Sequence, residues 1–132
     1  MDPQNKAKSL GIENAAVVSK QASVLADDCP SGYVCLYEHS NWVGHLLQVQ
    51  GGIGIDHLGG IGCDGCISSD HPDSNGTWSD QMSSWKNFSG GTYCWTVDAG
   101  RQGEHHPMIN NVVVNVTSHE NDEATSLAPF VC

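Results

Sequence analysis

Cys29-Pro30-Ser31-Gly32-Tyr33-Val34-Cys35-Leu36-Tyr37-Glu38-His39-Ser40-Asn41-Trp42-Val43-Gly44 is the stretch on which the fold turns. Tyr33, Cys35 and Tyr37 alternate with Val34, Leu36 and Glu38, the period of two expected of a β-strand. His39-Ser40-Asn41 then forms a turn candidate, since Ser and Asn side chains bond nearby backbone and Asn tolerates a positive φ. Trp42 can fold over that turn, and Gly44 lets backbone approach it closely. The stretch reads as a β-hairpin with an aromatic lid.

Outward from this hairpin, the composition favours an all-β chain. The 132 residues suit one domain preceded by a tail, and 15 glycines punctuate short apolar runs. Five basic residues against 15 acidic ones give a formal charge of −10. So acidic a surface repels phosphate backbones, which argues against nucleic acid and anionic membranes as partners but is compatible with divalent cations or a basic protein. No apolar run approaches the length needed to cross a membrane. Six cysteines in a short β-rich chain point to disulfides and an oxidising compartment. The N-terminus lacks a basic segment followed by an apolar one, so the expectation is a secreted protein numbered after its signal; a cytosolic protein with free thiols is the alternative.

Residues 1–28 differ from the rest, holding Lys6, Lys8 and Lys20 but no aromatic residue and no cysteine. They read as a propeptide remnant or flexible N-terminal arm, weakly helical over Ala15 to Ala26, where Val17, Gln21, Val24 and Leu25 share a face. A second strand is expected over His45–Gln50, and Gly51–Trp78 reads as a long loop with brief edge pairing. Order returns over Met82–Phe88, Thr92–Val97 is a strand, Asp98–Gly103 a turn, and Asn110–Thr117 the most apolar strand. Leu127–Cys132 closes the chain.

An internal repeat relates the two halves. Aligning Cys35 with Cys94 places Gly44 on Gly103, Leu36 on Trp95 and His39 on Asp98. Further along, Ser79-Asp80-Gln81-Met82-Ser83-Ser84 corresponds to Asn121-Asp122-Glu123-Ala124-Thr125-Ser126. Each half is thus strand, hairpin, strand and an acidic hexamer ending in paired hydroxyls. A duplicated four-stranded unit predicts two Greek keys, about 29–90 and 91–132, packed as a β-sandwich.

The residues of this repeat resemble the βγ-crystallin superfamily. Tyr37-Glu38, Trp42 and Gly44 are similar to its hairpin signature, and Asn121–Ser126 fits its calcium motif, with Ser79–Ser84 departing only at Ser79. Cys29–Tyr37 further resembles the opening of secreted bacterial metalloproteinase inhibitors of that fold. The second half departs, with Thr96, Val97 and Arg101 where Tyr, Glu and the aromatic lid would stand.

The resemblance implies two calcium sites, each taking a carbonyl and a hydroxyl from one hexamer and an acid from the other. One would use Ser83, the Gln81 carbonyl and Asp122 with backbone near Glu38; the other would use Thr125, the Glu123 carbonyl and Asp80 with backbone near Asp98. Few carboxylates per ion imply weak sites suited to calcium-rich fluid. The alternative is that the paired hydroxyls simply bond backbone at the corners. The inhibitor resemblance also implies a Cys29–Cys35 bond. Cys63 could pair with Cys66, leaving Cys94 with Cys132, one of several connectivities that six cysteines allow. Alternatively Cys63 and Cys66 would be zinc ligands with His57 and His71, which lie near in sequence. His105 and His106 would form a clamp only in a loop, because neighbours on a strand face opposite ways.

Nothing in the sequence assembles a catalytic centre: there is no Gly-x-Ser-x-Gly elbow and no His-Glu-x-x-His. The leading expectation is a secreted, disulfide-stabilised inhibitor of an extracellular protease, a metalloprotease by the resemblance, acting through Gly51–Trp78 or Asp98–Pro107. Two alternatives remain on the same scaffold. One is a calcium-binding module with a structural, partner-binding or toxin-assembly role; the other is an antimicrobial toxin, disfavoured by the acidic charge.

Overall fold

The computed structural model describes residues 16–21, 29–67, 72–116, 123–129 and 132. Two antiparallel sheets face each other. The first has five strands in the order β1 (Val17–Gln21), β3 (Val43–Gln50), β2 (Tyr33–His39), β4 (Ser84–Asn87) and β7 (Val112–Asn115). The second has three, in the order β6 (Gln102–Met108), β5 (Tyr93–Asp98) and β8 (Ser126–Pro129). Their inner faces enclose one main core that includes Leu36, Leu47, Trp78, Trp85, Trp95, Met108 and Leu127. A smaller cluster of Cys29, Cys35, Tyr37 and Leu46 is capped by Trp42, Tyr33 and Phe88. The lid is therefore real: Trp42 donates its indole N–H to the Trp85 carbonyl at 3.1 Å.

The halves exchange strands. β7 comes from the second half yet pairs with β4 of the first. In return Ile55, from the Gly-rich stretch of the first half, bridges Leu127 of β8. This exchange makes two Greek keys into one sandwich, and it is why a short glycine-rich segment is held firmly: Tyr93 donates its hydroxyl to the Ile53 carbonyl at 2.8 Å.

The two hairpins superimpose feature by feature. Both carry a register shift at the same place, between Tyr37 and His39 and between Thr96 and Asp98. Both then turn through left-handed residues, Asn41 and Trp42 in one, Gly100 and Arg101 in the other. Gly44 (φ 89°) and Gly103 (φ 80°) follow, and a Cβ on either would press into the preceding side chains, at 2.5 Å from His39 and 2.7 Å from Asp98. The departures at Thr96 and Arg101 thus leave the backbone path intact. Arg101 trades the lid for an ion pair with Asp56 at 3.2 Å.

Three points differ from expectation. Val17–Gln21, within the segment read as weakly helical, is an edge strand, since β-branched residues laid against the open edge of β3 gain a full ladder of backbone bonds. The rest of residues 1–28, save Ala16, lies outside the described residues. Gln102–Met108 is a strand rather than turn and loop, and its mostly exposed side chains explain why no alternating pattern marked it. Finally, the strand expected over Asn110–Thr117 spans Val112–Asn115 among the described residues, its side chains alternating between core and solvent.

Candidate functional site

The acidic hexamers meet where the halves cross. Asp80, left-handed at φ 61°, donates its backbone N–H to the Ala124 carbonyl at 2.8 Å, tying one hexamer to the other. Its carboxylate accepts from the Ser74 hydroxyl at 2.8 Å, the Ser79 hydroxyl at 3.3 Å and the Thr125 hydroxyl at 3.3 Å. Asp80 and Thr125, two side-chain donors of one expected site, are therefore adjacent, with Glu123 two residues away along the chain. Hard oxygen donors gathered around one carboxylate are the chemistry that a calcium ion takes. In the other site, Gln81 and Ser83 are buried, and Ser83 donates its N–H to the Tyr37 carbonyl at 2.9 Å beside Glu38. Asp122 lies outside the described residues.

The last hydroxyl of each hexamer has a different task. Ser84 Oγ donates to the His39 carbonyl at 2.7 Å and accepts from the Trp42 N–H at 3.1 Å. Ser126 Oγ donates to the Asp98 carbonyl at 3.0 Å and accepts from the Arg101 N–H at 3.1 Å. Both serines are fully buried and fasten the left-handed turn of their own hairpin. In the second half the Thr96 hydroxyl, touching Ser126, also donates to the Asp98 carbonyl, at 3.1 Å. Thr96 thus supplies a polar brace where the first half has Tyr37.

Glu38 commits its side chain elsewhere. Oε1 lies 2.6 Å from His45 Nδ1 and accepts the His45 backbone N–H at 3.2 Å. Burial alone would raise its carboxyl, but the His45 bonds and the nearby His39 and His45 outweigh that and hold it below the ordinary glutamate range.

The β5–β6 hairpin presents the most open surface of the second sheet. β6 is an edge strand whose residues are exposed from Gln102 to His105. His105 and His106 face opposite ways on it, so they form no clamp: His106 stacks on Trp95 with ring centroids 4.1 Å apart, while His105 lines a cleft of about 170 Å³ with Cys94, Thr96, Arg101, Ala128 and Cys132. By contrast Gly51–Trp78 turns inward at Leu58, Cys63, Cys66 and Trp78, all buried.

Three disulfides staple these parts: Cys29–Cys35, Cys63–Cys66 and Cys94–Cys132. Of the two histidines that sequence proximity offered to Cys63 and Cys66, His71 lies outside the described residues, and His57 uses Nδ1 to accept the Gly59 N–H at 2.9 Å. Among the described residues, the imidazole that comes within 4.8 Å of these sulfurs is His45. Sequence reading missed it because the hairpin, not chain proximity, carries it there.

The model of peptidase inhibitor family I36 matches residues 22–108. Solved structures similar to the chain are βγ-crystallin domains. One, from work on the evolution of the eye-lens βγ-crystallin fold, is 19% identical with a TM-score of 0.62, covering 85% of this chain and 94% of that one. A βγ-crystallin domain from Clostridium beijerinckii is 23% identical with a TM-score of 0.52, over 73% of this chain and 94% of that one. The βγ-crystallin of Ciona intestinalis is 17% identical with a TM-score of 0.52, over 74% and 99%. These likenesses establish the fold. No curated protein matches the chain.

Proposed function

The chain belongs to peptidase inhibitor family I36, and on that premise we propose that it is secreted and inhibits an extracellular metalloprotease through the Asp98–Met108 hairpin. The observation that carries the choice of hairpin is the edge strand β6, which is exposed along most of its length yet locked in register with β5. A protease binds an extended chain by pairing with its backbone, and the outermost strand of the described sheet is the one placed for such pairing. The Trp95–His106 stack fastens the strand to β5, which the Cys94–Cys132 bond anchors in turn, and this lowers the ordering cost of binding. His105 projects an imidazole that a catalytic zinc would accept, beside a cleft with room for a partner side chain, while Glu104, on the opposite face, meets His106 and adds a carboxylate to the exposed strand.

Titration against a panel of thermolysin-class and other secreted proteases tests this reading. Inhibition should appear at or below micromolar concentration and weaken at least about tenfold, or ~1.4 kcal/mol, in Glu104→Ala/His105→Ala. Absence of inhibition across the panel refutes the function; inhibition unaffected by the double substitution refutes the choice of hairpin.

A second reading concerns calcium, and the meeting of Asp80 with Thr125 favours it. We propose a weak calcium site at Asp80, Thr125 and the Glu123 carbonyl, with a companion at Ser83, the Gln81 carbonyl, Asp122 and backbone near Glu38. Millimolar calcium should raise the melting temperature over that in chelator, and Asp80→Asn should abolish most of the rise. Equal melting in calcium and chelator would refute it.

A further inference from the structure

The Cys63-Asp64-Gly65-Cys66 loop sits against the first hairpin, and the contact is chemically specific. The two sulfurs and a ring nitrogen of His45 lie within 4.8 Å of one another. Cys63 and Cys66 are buried, and His45 is three-quarters so. Backbone bonds fix the loop: Cys63 donates its N–H to the Gly76 carbonyl and Gly76 to the Cys66 carbonyl, each at 2.9 Å. Gly65, left-handed at φ 89°, faces the imidazole, since a Cβ there would lie 3.5 Å from His45 Cε1 and 3.8 Å from Nε2.

The tautomer follows from Glu38. Its Oε1 accepts from His45 Nδ1 at 2.6 Å, so Nδ1 carries the hydrogen and Nε2, on the side of the ring that Gly65 approaches, is the nitrogen left to ligate. Carboxylate, imidazole and metal in that order is the arrangement by which proteins orient a ligating histidine.

We propose that Cys63, Cys66 and His45 form a zinc site when the Cys63–Cys66 bond is reduced, with Glu38 orienting the imidazole. The Cys-x-x-Cys spacing is that of thiolate pairs in zinc sites. A tetrahedral ion with Zn–S of about 2.3 Å and Zn–N of about 2.0–2.1 Å needs donors roughly 3.5–3.8 Å apart. The cluster, within 4.8 Å, needs the sulfurs to part and the imidazole to close by no more than about 1 Å to meet that spacing. A water completes the fourth position. The disulfide takes two electrons and two protons from a dithiol reductant, which closes into its own disulfide, leaving two thiols. Zinc then displaces both thiol protons to solvent. The same loop therefore has two closed states, a disulfide or a metal clip. Among the described residues, the other four cysteines belong to no comparable group of donors. The site owes nothing to family membership and stands apart from the hairpin assigned to inhibition.

The full chain, treated anaerobically with a dithiol and then with cobalt(II) or zinc chloride, tests the proposal. Cobalt should bind with one equivalent per chain and give thiolate-to-cobalt charge-transfer absorption, which zinc abolishes. Zinc should slow alkylation of Cys63 and Cys66, mapped by peptide mass, but not of the remaining cysteines. His45→Gln should remove most of this protection, and Glu38→Gln should weaken zinc binding about 10–100-fold. Alkylation of Cys63 and Cys66 that zinc does not slow overturns the proposal. So does protection undiminished by His45→Gln, or a Cys63–Cys66 bond that the dithiol cannot open.

Discussion

Replacing the buried serines that fasten the two hairpins should separate their worth. Ser84→Ala removes a donor to the His39 carbonyl and an acceptor for the Trp42 N–H, with no second side chain among the described residues in place for either. At about 1 kcal/mol for each bond, plus part of the desolvation of the groups left behind, the loss is ~2–3 kcal/mol. Ser126→Ala removes the equivalent pair, but Thr96 continues to donate to the Asp98 carbonyl, and the Arg101 turn is open to water. Its loss should be smaller, about 1–1.5 kcal/mol. Urea unfolding without reductant, with the slope checked for constancy, reads both values directly. Taking roughly 3–5 °C per kcal/mol for a chain of this size, melting should fall by about 10 °C and about 5 °C. Ser84→Ala should also free Trp42, whose left-handed turn it fastens, and red-shift its fluorescence. Equal losses, the reverse order, or losses under about 0.5 kcal/mol would refute the view that these hydroxyls hold the turns and that Thr96 backs one of them.

Three further outcomes follow from contacts already described. Glu38 ionises more easily folded than unfolded, so its contribution is complete above the ordinary glutamate value of about 4.3 and is lost as pH falls through the lower folded value; Glu38→Gln should therefore cost stability near neutral pH and converge on the parent in acid, as urea unfolding at several pH values would read. Tyr93→Phe should cost about 1 kcal/mol in the same assay, since its hydroxyl holds the Ile53 carbonyl. Loss of the Cys94–Cys132 link, which spans a separation of 38, should cost about 3–4 kcal/mol, against about 1.5 kcal/mol for Cys63–Cys66 with a separation of 3.

The parts of the fold legible in the sequence are those where buried faces imprint a period. Leu36 and Tyr37 sit on opposite faces of β2, one in each core cluster, and that alternation announced the strand before any pairing was known. The repeat was equally visible, because Gly44 and Gly103 answer the same left-handed requirement. What escaped reading is structure held by backbone alone. β6 buries little beyond Met108, and β1 is defined by the edge it completes, so neither needs a patterned sequence. The candidate sites divide likewise. Asp80 with Thr125 was readable as motif, whereas His45 beside Cys63 and Cys66 depends on a hairpin folding across a long loop, which no local spacing encodes.

The exchange of β7 and Ile55 bears on how such a chain could have arisen. A single repeat, separated from its twin, would lack the strand that its sheet borrows and would expose an open edge beside β4. Another copy of itself would supply the missing piece, so a single repeat would be complete only as a homodimer. Fusing two such copies into one polypeptide converts assembly that depends on concentration into folding that does not. Once fused, each copy is released from sameness: one carries Tyr37, Glu38 and Trp42 where the other carries Thr96, Val97 and Arg101.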